Sequence, residues 1–367
     1  MSNTTQHDPM GKALLRRAWG SLLSVHAFAS TVTSGGKGAP RLYYGGARSG
    51  NLGGPLVKVK RLQQYFPESL WRYNVVYALS NAAYLPALAL GWLRRRGIPI
   101  VLNQNGVFYP GWFAGDWERQ NAIMSAAYHQ ASHVFWQSEF CRKAATRFLG
   151  ERQGTGEVLY NAIDVQHFRP GDRRDGRPFT FLITGKIGRH LGYRLESTIE
   201  GLAFARRAGL DARLNIAGWV EAPAVVRTAS VRHGVANEVV LSDTYTQEEA
   251  PDVYRAADAY VMTNYLDNCP STVLEAMACG LPVLYSQSGG VPELVGPDAG
   301  IGLPLPEDWE KVHVPTAAAI GEGMLKMAQQ HQGMAAAARS RAVACFDIST
   351  WIARHRVVFE RLLQNRQ

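Results

Sequence analysis

An α/β protein of two doubly wound, parallel-sheet domains is the architecture this sequence predicts, on three observations. Short apolar runs alternate with segments of helical spacing, the pattern of strands covered on both faces. The alternation stops at Pro170–Pro178 (PGDRRDGRP), a polar, turn-rich stretch that reads as an interdomain linker, and then restarts. The 367 residues suit two domains of ~150–200 residues each. Apolar residues make up 46% and charged residues 19%, enough to build real cores and too greasy for a disordered chain. The 36 glycines and 18 prolines follow no three-residue period, which excludes a collagen-like structure.

In the first domain, expected over residues 1–171, a strand at Arg41–Gly45 enters the glycine-rich turn Gly45–Gly54 (GGARSGNLGG), and a helix runs from Pro55 to Tyr65. Asn74–Leu79 reads as the second strand. Past Pro86 a helix runs to Arg96-Gly97, where glycine ends it. Ile98–Leu102 is a buried strand with Pro99 near its start. Trp117–Ala131 has helical spacing, His133–Gln137 is a short apolar strand, and Glu157–Tyr160 closes the domain. Val75–Leu93 has the apolar content of a membrane span, but Ser80, Asn81 and Pro86 favour strand, turn and helix instead.

The second domain, expected over 172–346, repeats the alternation. Strands are predicted at Thr180–Thr184, Ala212–Ala217, Val239–Leu241, Ala259–Thr263 and Pro282–Tyr285. Helices are predicted at Arg194–Arg207, Ala222–His233, Ala250–Ala256 and Thr272–Ala278. A final helix over Ser349–Gln364, with Ser349 as its N-cap, has the amphipathic spacing of an element that packs on another surface. Two such domains create a cleft between the carboxyl ends of their sheets, where folds of this kind bind ligands.

Charge is distributed unevenly. Residues 1–171 hold 19 Lys+Arg against 8 Asp+Glu, so the whole formal excess of +9 lies in the first half. That field favours anionic partners, phospholipid surfaces and diphosphates among them. Nucleic acid is set aside, because no helix-turn-helix, zinc-finger or RNP-like signature accompanies the charge. The four cysteines are scattered and form no C-x-x-C pair, which points to a reducing compartment, and the polar start lacks a secretory signal. His129 and His133 have the spacing of two ligands on one helix face, but Gln130 stands where a metalloprotease needs Glu, so no metal is expected.

The strongest local signal is DNCPSTVLEAMACGLPV, Asp267–Val283. Cys269-Pro270-Ser271-Thr272 reads as a turn feeding a helix, whose free N–H groups and dipole suit a diphosphate. Glu275, eight residues after Asp267, lies one turn into that helix and can accept hydrogen bonds from vicinal hydroxyls. Asp267 can reach a different hydroxylated group. An ordinary capped helix with a surface carboxylate fits the spacing as well.

This stretch, with ADAYVMTNYLDNCPSTVLEAMACGLPVLYSQSGGVPELV around it, resembles the donor-nucleotide region of retaining GT-B glycosyltransferases, closest to glycosyltransferase family 4. That family carries two acidic residues separated by seven, usually both Glu; here Asp267 stands first. The resemblance implies that Glu275 binds the nucleotide ribose, that Asp267 contacts the donor sugar, and that the turn at Pro270 with the Ser271 and Thr272 amides holds the diphosphate. Tyr160–Asp164 with Phe168-Arg169-Pro170 resembles the end of the family's first domain, with Ala162 in place of Gly. Phe181–Lys186 (FLITGK) resembles the strand ending in Gly-Arg, so Gly185 and Lys186 fall at the leaving diphosphate. Leu191-Gly192 occupies the place of the family's Lys-Gly, and Arg189 and Arg194 are the substitutes for that missing cation. Gly53 and Gly54 match a glycine-rich loop near donor phosphate or acceptor. Asn105 stands where many members carry a His that touches the donor sugar.

What the resemblance implies is a retaining sugar transferase with Asp267, Glu275, Lys186 and Asn105 around the reaction. It needs no cofactor beyond its substrate, a UDP- or GDP-linked sugar. The final helix would cross back onto the first domain. The basic first half and the Lys12–Val32 segment suggest a cytoplasmic protein docking at an anionic inner membrane face. The acceptor is then a glycan or lipid-linked acceptor of cell-surface polysaccharide or lipopolysaccharide synthesis. A non-catalytic nucleotide-sugar-binding protein and a GT-B nucleotide-sugar epimerase are the alternatives.

Overall fold

The computed structural model describes residues 10–31, 38–47, 49–50, 54–82, 85–171 and 176–365. It divides into two compact units, one of Met1–Tyr160, Trp309–Lys311 and Trp351–Gln367, the other of Asn161–Asp308 and Val312–Thr350. The units part at Tyr160-Asn161, ahead of the polar Pro170–Pro178 stretch, of which 172–175 lie outside the described residues.

The first unit runs α1 (Met10–Ser30), β1 (Leu42–Tyr43), α2 (Gly54–Tyr65), β2 (Val75–Leu79), α3 (Ala87–Arg95), β3 (Ile100–Gln104), α4 (Trp117–Gln130), β4 (His133–Trp136), α5 (Glu139–Leu149) and β5 (Thr155–Val158). Its strands form one parallel sheet in the order β1-β2-β3-β4-β5. The central strands β2, β3 and β4 are buried without alternation because both faces are covered, and β3 and β4 carry the polar Asn103, Gln104 and His133 inside. Helix α5 was not among the expected elements, although Ser138 caps it by accepting the Cys141 N–H at 3.0 Å. Its buried stripe is Phe140, Cys141, Ala144, Ala145 and Leu149.

The second unit runs β6 (Phe179–Ile187), α6 (Gly192–Arg207), β7 (Ala212–Val220), α7 (Pro223–Arg232), β8 (Val239–Ser242), α8 (Ala250–Arg255), β9 (Ala259–Met262), α9 (Ser271–Ala278), β10 (Val283–Gln287), α10 (Val291–Val295), β11 (Gly300–Pro304), α11 (Ala317–Gln329) and α12 (His331–Phe346). Its parallel sheet has the order β11-β10-β9-β6-β7-β8. The first strand, β6, therefore lies between β9 and β7, and chain order reverses there. That reversal opens a crevice at the carboxyl ends of β6 and β9, the place where doubly wound sheets take ligands. Helices α6 and α11 pack so closely that a Cβ on Gly201 would lie 2.5 Å from Ile320 and one on Gly321 would lie 2.4 Å from Phe204. Glycine is required at that crossing by sterics alone.

The last helix, α13 (Ile348–Gln364), begins under Asp347, whose carboxylate accepts the Ser349 N–H at 2.8 Å. Asp347, not Ser349, therefore holds the first turn. From Trp351 on the helix belongs to the first unit. There His355 hydrogen-bonds Tyr77 at 3.0 Å, Phe359 packs edge-on to Phe66, and Arg354 pairs with Glu157 at 2.7 Å. Burial pushes the His355 imidazole down to about 3, so it sits neutral in the core.

Candidate active site

At the reversal point of the second sheet, β6 delivers Gly185 and Lys186. Gly185 has φ 122°, a conformation that favours glycine, and a Cβ on Gly218 of β7 would meet its carbonyl at 2.5 Å. The exposed Lys186 ammonium lies 5.0 Å over the Trp219 ring. Arg189 is committed to Glu221, which accepts its backbone N–H at 2.9 Å and pairs with its guanidinium at 3.4 Å. Of the two substitute cations, Arg194 is 3% exposed. It opens α6 from inside, reaching the Val261 carbonyl at 3.5 Å. A guanidinium so placed belongs to the wall of the site, not its surface.

From β9 the chain turns through Leu266, held at φ 51°, a left-handed conformation costly for a branched side chain. The turn is pinned on both sides. The Leu266 N–H donates to Ser288 Oγ at 3.2 Å, and the Asp267 carbonyl accepts from Gly290 at 2.8 Å. Gly289, at φ 67°, lies so close that a Cβ there would sit 2.5 Å from the Asp267 carbonyl oxygen. The Asp267 carboxylate accepts from Asn264 Nδ2 at 3.0 Å. Burial raises its pKa from the ordinary value, while Asn264, the Arg194 charge and the backbone N–H groups of Cys269 and Asn268 pull the other way without offsetting it.

Beyond Asp267, helix α9 starts at Ser271 behind Pro270, which is extended and offers no side-chain cap. The first-turn amides of Ser271 and Thr272 thus face the anion-favouring end of the helix without a capping oxygen. Glu275 is 4% exposed and accepts from Tyr254 Oη at 2.8 Å. That phenol also meets Thr184 Oγ1 at 3.1 Å, and Thr184 in turn meets Tyr260 Oη at 3.0 Å. Burial, then the Glu275 charge, pushes the Tyr254 phenol far up, so it stays a proton donor to the carboxylate. Four buried polar atoms line the same strand ends without a protein partner: Arg194 Nε, Thr263 Oγ1, Asn264 Oδ1 and Ser286 Oγ. Buried polar atoms are seldom left unpaired, and a cluster of them marks a place for a polar ligand or water.

Asn105 sits elsewhere, at the carboxyl edge of the first unit's sheet. Its N–H donates to Ser80 Oγ at 2.9 Å, and its side chain bonds Asn81 and Gln137. The buried Lys58 of α2 donates to Asn103 Oδ1 at 2.6 Å and to Asn105 Oδ1 at 3.3 Å, and Gln137 reaches Asn103 at 3.0 Å. Lys58, Gln137 and Tyr254 were missed from sequence. A lysine just inside a helix that follows a glycine-rich turn was the signal available for the first. Gly54 opens α2, and Gly53 lies outside the described residues. His129 and His133 do not converge: His129 bonds the Leu149 carbonyl at 2.8 Å and His133 bonds Thr155 and Glu157.

Two Rossmann-like parallel-sheet units with this strand order make the fold GT-B. Residues 178–322 match the family described as Glycosyl transferases group 1. D-inositol 3-phosphate glycosyltransferase of Mycobacteroides abscessus is 27% identical over 189 residues, covering 48% of this chain and 42% of that protein. The chain thus spans less than half the length of that relative. Glycogen synthase of Mycobacterium tuberculosis is 25% identical over 296 residues, 79% of this chain and 69% of the synthase. Among solved structures, Anabaena HepE in complex with UDP superposes with TM-score 0.63 at 17% identity, over 84% of this chain and 82% of that one. Sucrose-phosphate synthase from Thermosynechococcus elongatus gives 0.62 at 17%, over 83% and 76%.

Proposed function

We propose that the protein is a retaining glycosyltransferase that moves a sugar from a nucleotide-diphosphate sugar to a glycan or lipid-linked acceptor, in cell-surface polysaccharide or lipopolysaccharide synthesis. The observation that carries the donor half is the uncapped start of α9, with Asp267 ahead of it and Glu275 one turn inside. On this reading the Ser271 and Thr272 amides, behind the Pro270 turn, take the diphosphate, and Glu275, oriented by Tyr254, takes the ribose hydroxyls. Gly185 lets the backbone come close and Lys186 adds positive charge as the diphosphate leaves. Arg189 can serve there only by giving up Glu221. Asp267 holds hydroxyls of the transferred sugar, and Asn105 holds another. Because Asn105 cannot act as a base, the departing phosphate takes the acceptor proton in a front-face transfer. The UDP held by HepE supports a nucleotide-linked donor, with uridine or guanosine as its base. The basic first half supports docking at the cytoplasmic face of an anionic membrane.

A thermal-shift screen with UDP, GDP, ADP and their sugars tests the donor assignment. A ligand that binds only the folded chain adds about 2.7 kcal/mol of stability at a hundred times its Kd. Glu275→Ala should lose the shift with nucleotide and nucleotide sugar alike, and Asp267→Ala with the sugar forms only. Binding without turnover of any donor would favour a nucleotide-sugar-binding protein instead.

A further inference from the structure

Between β11 and α11 the chain runs through residues 305–316 without helix or strand. A stretch of that length inside a compact domain usually carries a function. Three of its residues, Trp309–Lys311, belong to the first unit, while the chain on both sides of them belongs to the second.

In the first unit Trp309 is built into an aromatic cluster. It is 6% exposed, stacks parallel on Phe140 of α5 at 5.2 Å, stands edge-on to Tyr109 at 4.9 Å and meets Phe148 at 5.3 Å. The Arg147 guanidinium lies 5.8 Å over the same ring. The Trp309 carbonyl accepts the Gly111 N–H at 2.7 Å, and a Cβ on Gly111 would sit 2.9 Å from that oxygen, so a side chain there would push the segment away.

In the second unit the preceding residue, Asp308, is clamped as firmly. Tyr265 Oη accepts the Asp308 N–H at 2.7 Å and donates to the Pro306 carbonyl at 2.7 Å. The Asp308 carboxylate pairs with His313 at 2.9 Å, whose ring packs 5.5 Å from Tyr265. Tyr265 gives its own N–H to Tyr193 Oη at 3.0 Å, and the next residues are Leu266, at φ 51°, and Asp267. One peptide bond, Asp308-Trp309, thus separates an anchor in the first unit from a clamp on the turn that carries Asp267. A segment tied at two adjacent residues has no slack to absorb a shift of either end.

We infer that Trp309 and Tyr265 are positioning residues for the donor sugar: the seating of Trp309 in the first unit holds the Asp308–Tyr265 clamp and, through it, the Asp267 turn. A left-handed Leu266 persists only where its surroundings hold it, and the clamp is part of those surroundings. The inference rests on the proposed reading that Asp267 takes sugar hydroxyls. It adds a link by which the first unit sets the sugar side of the second.

Hydrogen exchange of the full chain without ligand, read by mass spectrometry, tests the link from both ends. Trp309→Leu, changed in the first unit, should speed exchange of the Leu266 and Gly290 amides, which bond Ser288 Oγ and the Asp267 carbonyl, by about tenfold. Tyr265→Phe, which loses only the hydroxyl, should speed exchange of Gly111, because coupling is reciprocal. Trp309→Phe keeps an aromatic anchor and should restore most of the protection at the turn. With ligand, Trp309→Leu and Tyr265→Phe should keep the UDP-induced thermal shift, lose much of the extra shift given by UDP-glucose, and raise the donor KM more than they lower kcat. Unchanged exchange at the turn in Trp309→Leu, unchanged exchange at Gly111 in Tyr265→Phe, or faster exchange spread equally over α7 would each overturn the inference. Should Trp309→Leu not fold, the Tyr265→Phe arm decides alone. A wild type that answers no donor would overturn the sugar-transfer reading, while the exchange arms, run without ligand, still judge the link.

Discussion

Asp267→Asn should stabilise the folded protein at neutral pH, and the sign follows from its surroundings. Burial raises the carboxyl above its ordinary pKa even though Asn264, Arg194 and two backbone amides favour the ionised form. The folded chain therefore holds the proton more tightly than the unfolded chain. Stability is fullest when the group is protonated and is lost as pH rises through the raised folded-state value. The asparagine cannot ionise, so it escapes that loss, worth about 1.4 kcal/mol for each unit of elevation. Against this, one acceptor oxygen becomes an amide donor, forfeiting a hydrogen bond of about 0.5–1.5 kcal/mol. Melting temperatures of both proteins from pH about 4 to 8 separate the contributions, because only the first depends on pH. The variant should trail or match the wild type in acid and gain on it as pH rises, by about 2–4 °C per kcal/mol in a unit of this size. A Tm difference that stays flat, or shrinks toward neutral pH, would refute the account of a desolvated carboxylate. In a donor screen the same variant should keep its response to the nucleotide and lose the extra shift given by the sugar.

Other outcomes follow from individual contacts. Tyr254→Phe deletes the 2.8 Å donor to Glu275, at a cost of about 1.5–3 kcal/mol for a hydrogen bond to a charged group. A double-mutant cycle with Glu275→Gln in denaturant melts should show coupling between the two. Arg194→Met withdraws a charge that lowers the Asp267 pKa, so the acid limb of transfer activity should move to higher pH, with Arg194→Lys restoring part of it. Gly321→Val drives methyl groups into Phe204 at the α6–α11 crossing and should destabilise by about 1–3 kcal/mol, read as a lowered Tm. Lys58→Met removes the donor shared by Asn103 and Asn105 and should lower transfer while the UDP-induced thermal shift is unchanged.

Strands buried on both faces announced themselves: Ile183 and Val261 lie in continuous apolar runs that only a covered parallel strand tolerates, and both are fully buried. The last third was harder to read. Gly300–Pro304 has the composition of a turn, yet pairs with β10 over five residues because an edge strand needs only backbone. Helices α11 and α12 were not expected, since Gly321, Gly323 and an alanine-rich run carry a weak apolar stripe. The reasons for the two glycines are tertiary, Phe204 of α6 against Gly321 and Leu284 of β10 against Gly323, and neither is visible locally. Asp267 and Glu275 could be named from their spacing. Their partners could not, because Tyr254 and Arg194 meet them only through tertiary packing.

Those partners argue that the two acids do different work. Glu275 is fixed by a phenol whose own burial keeps it protonated, inside a chain of hydroxyls from Thr184 and Tyr260. A carboxylate held this way has a set direction and remains an acceptor, which is what recognition of a vicinal diol asks for. Asp267 instead stands on a strained turn, with its pKa raised and four unpaired polar atoms at the neighbouring strand ends. Such a group gains from each new hydrogen bond to its ionised form, so a hydroxylated ligand relieves a cost already present in the folded chain. On the proposed reading, that is why the sugar, more than the nucleotide, should feel the loss of Asp267: its hydroxyls complete a site left short of partners, whereas Glu275 is oriented before any ligand arrives.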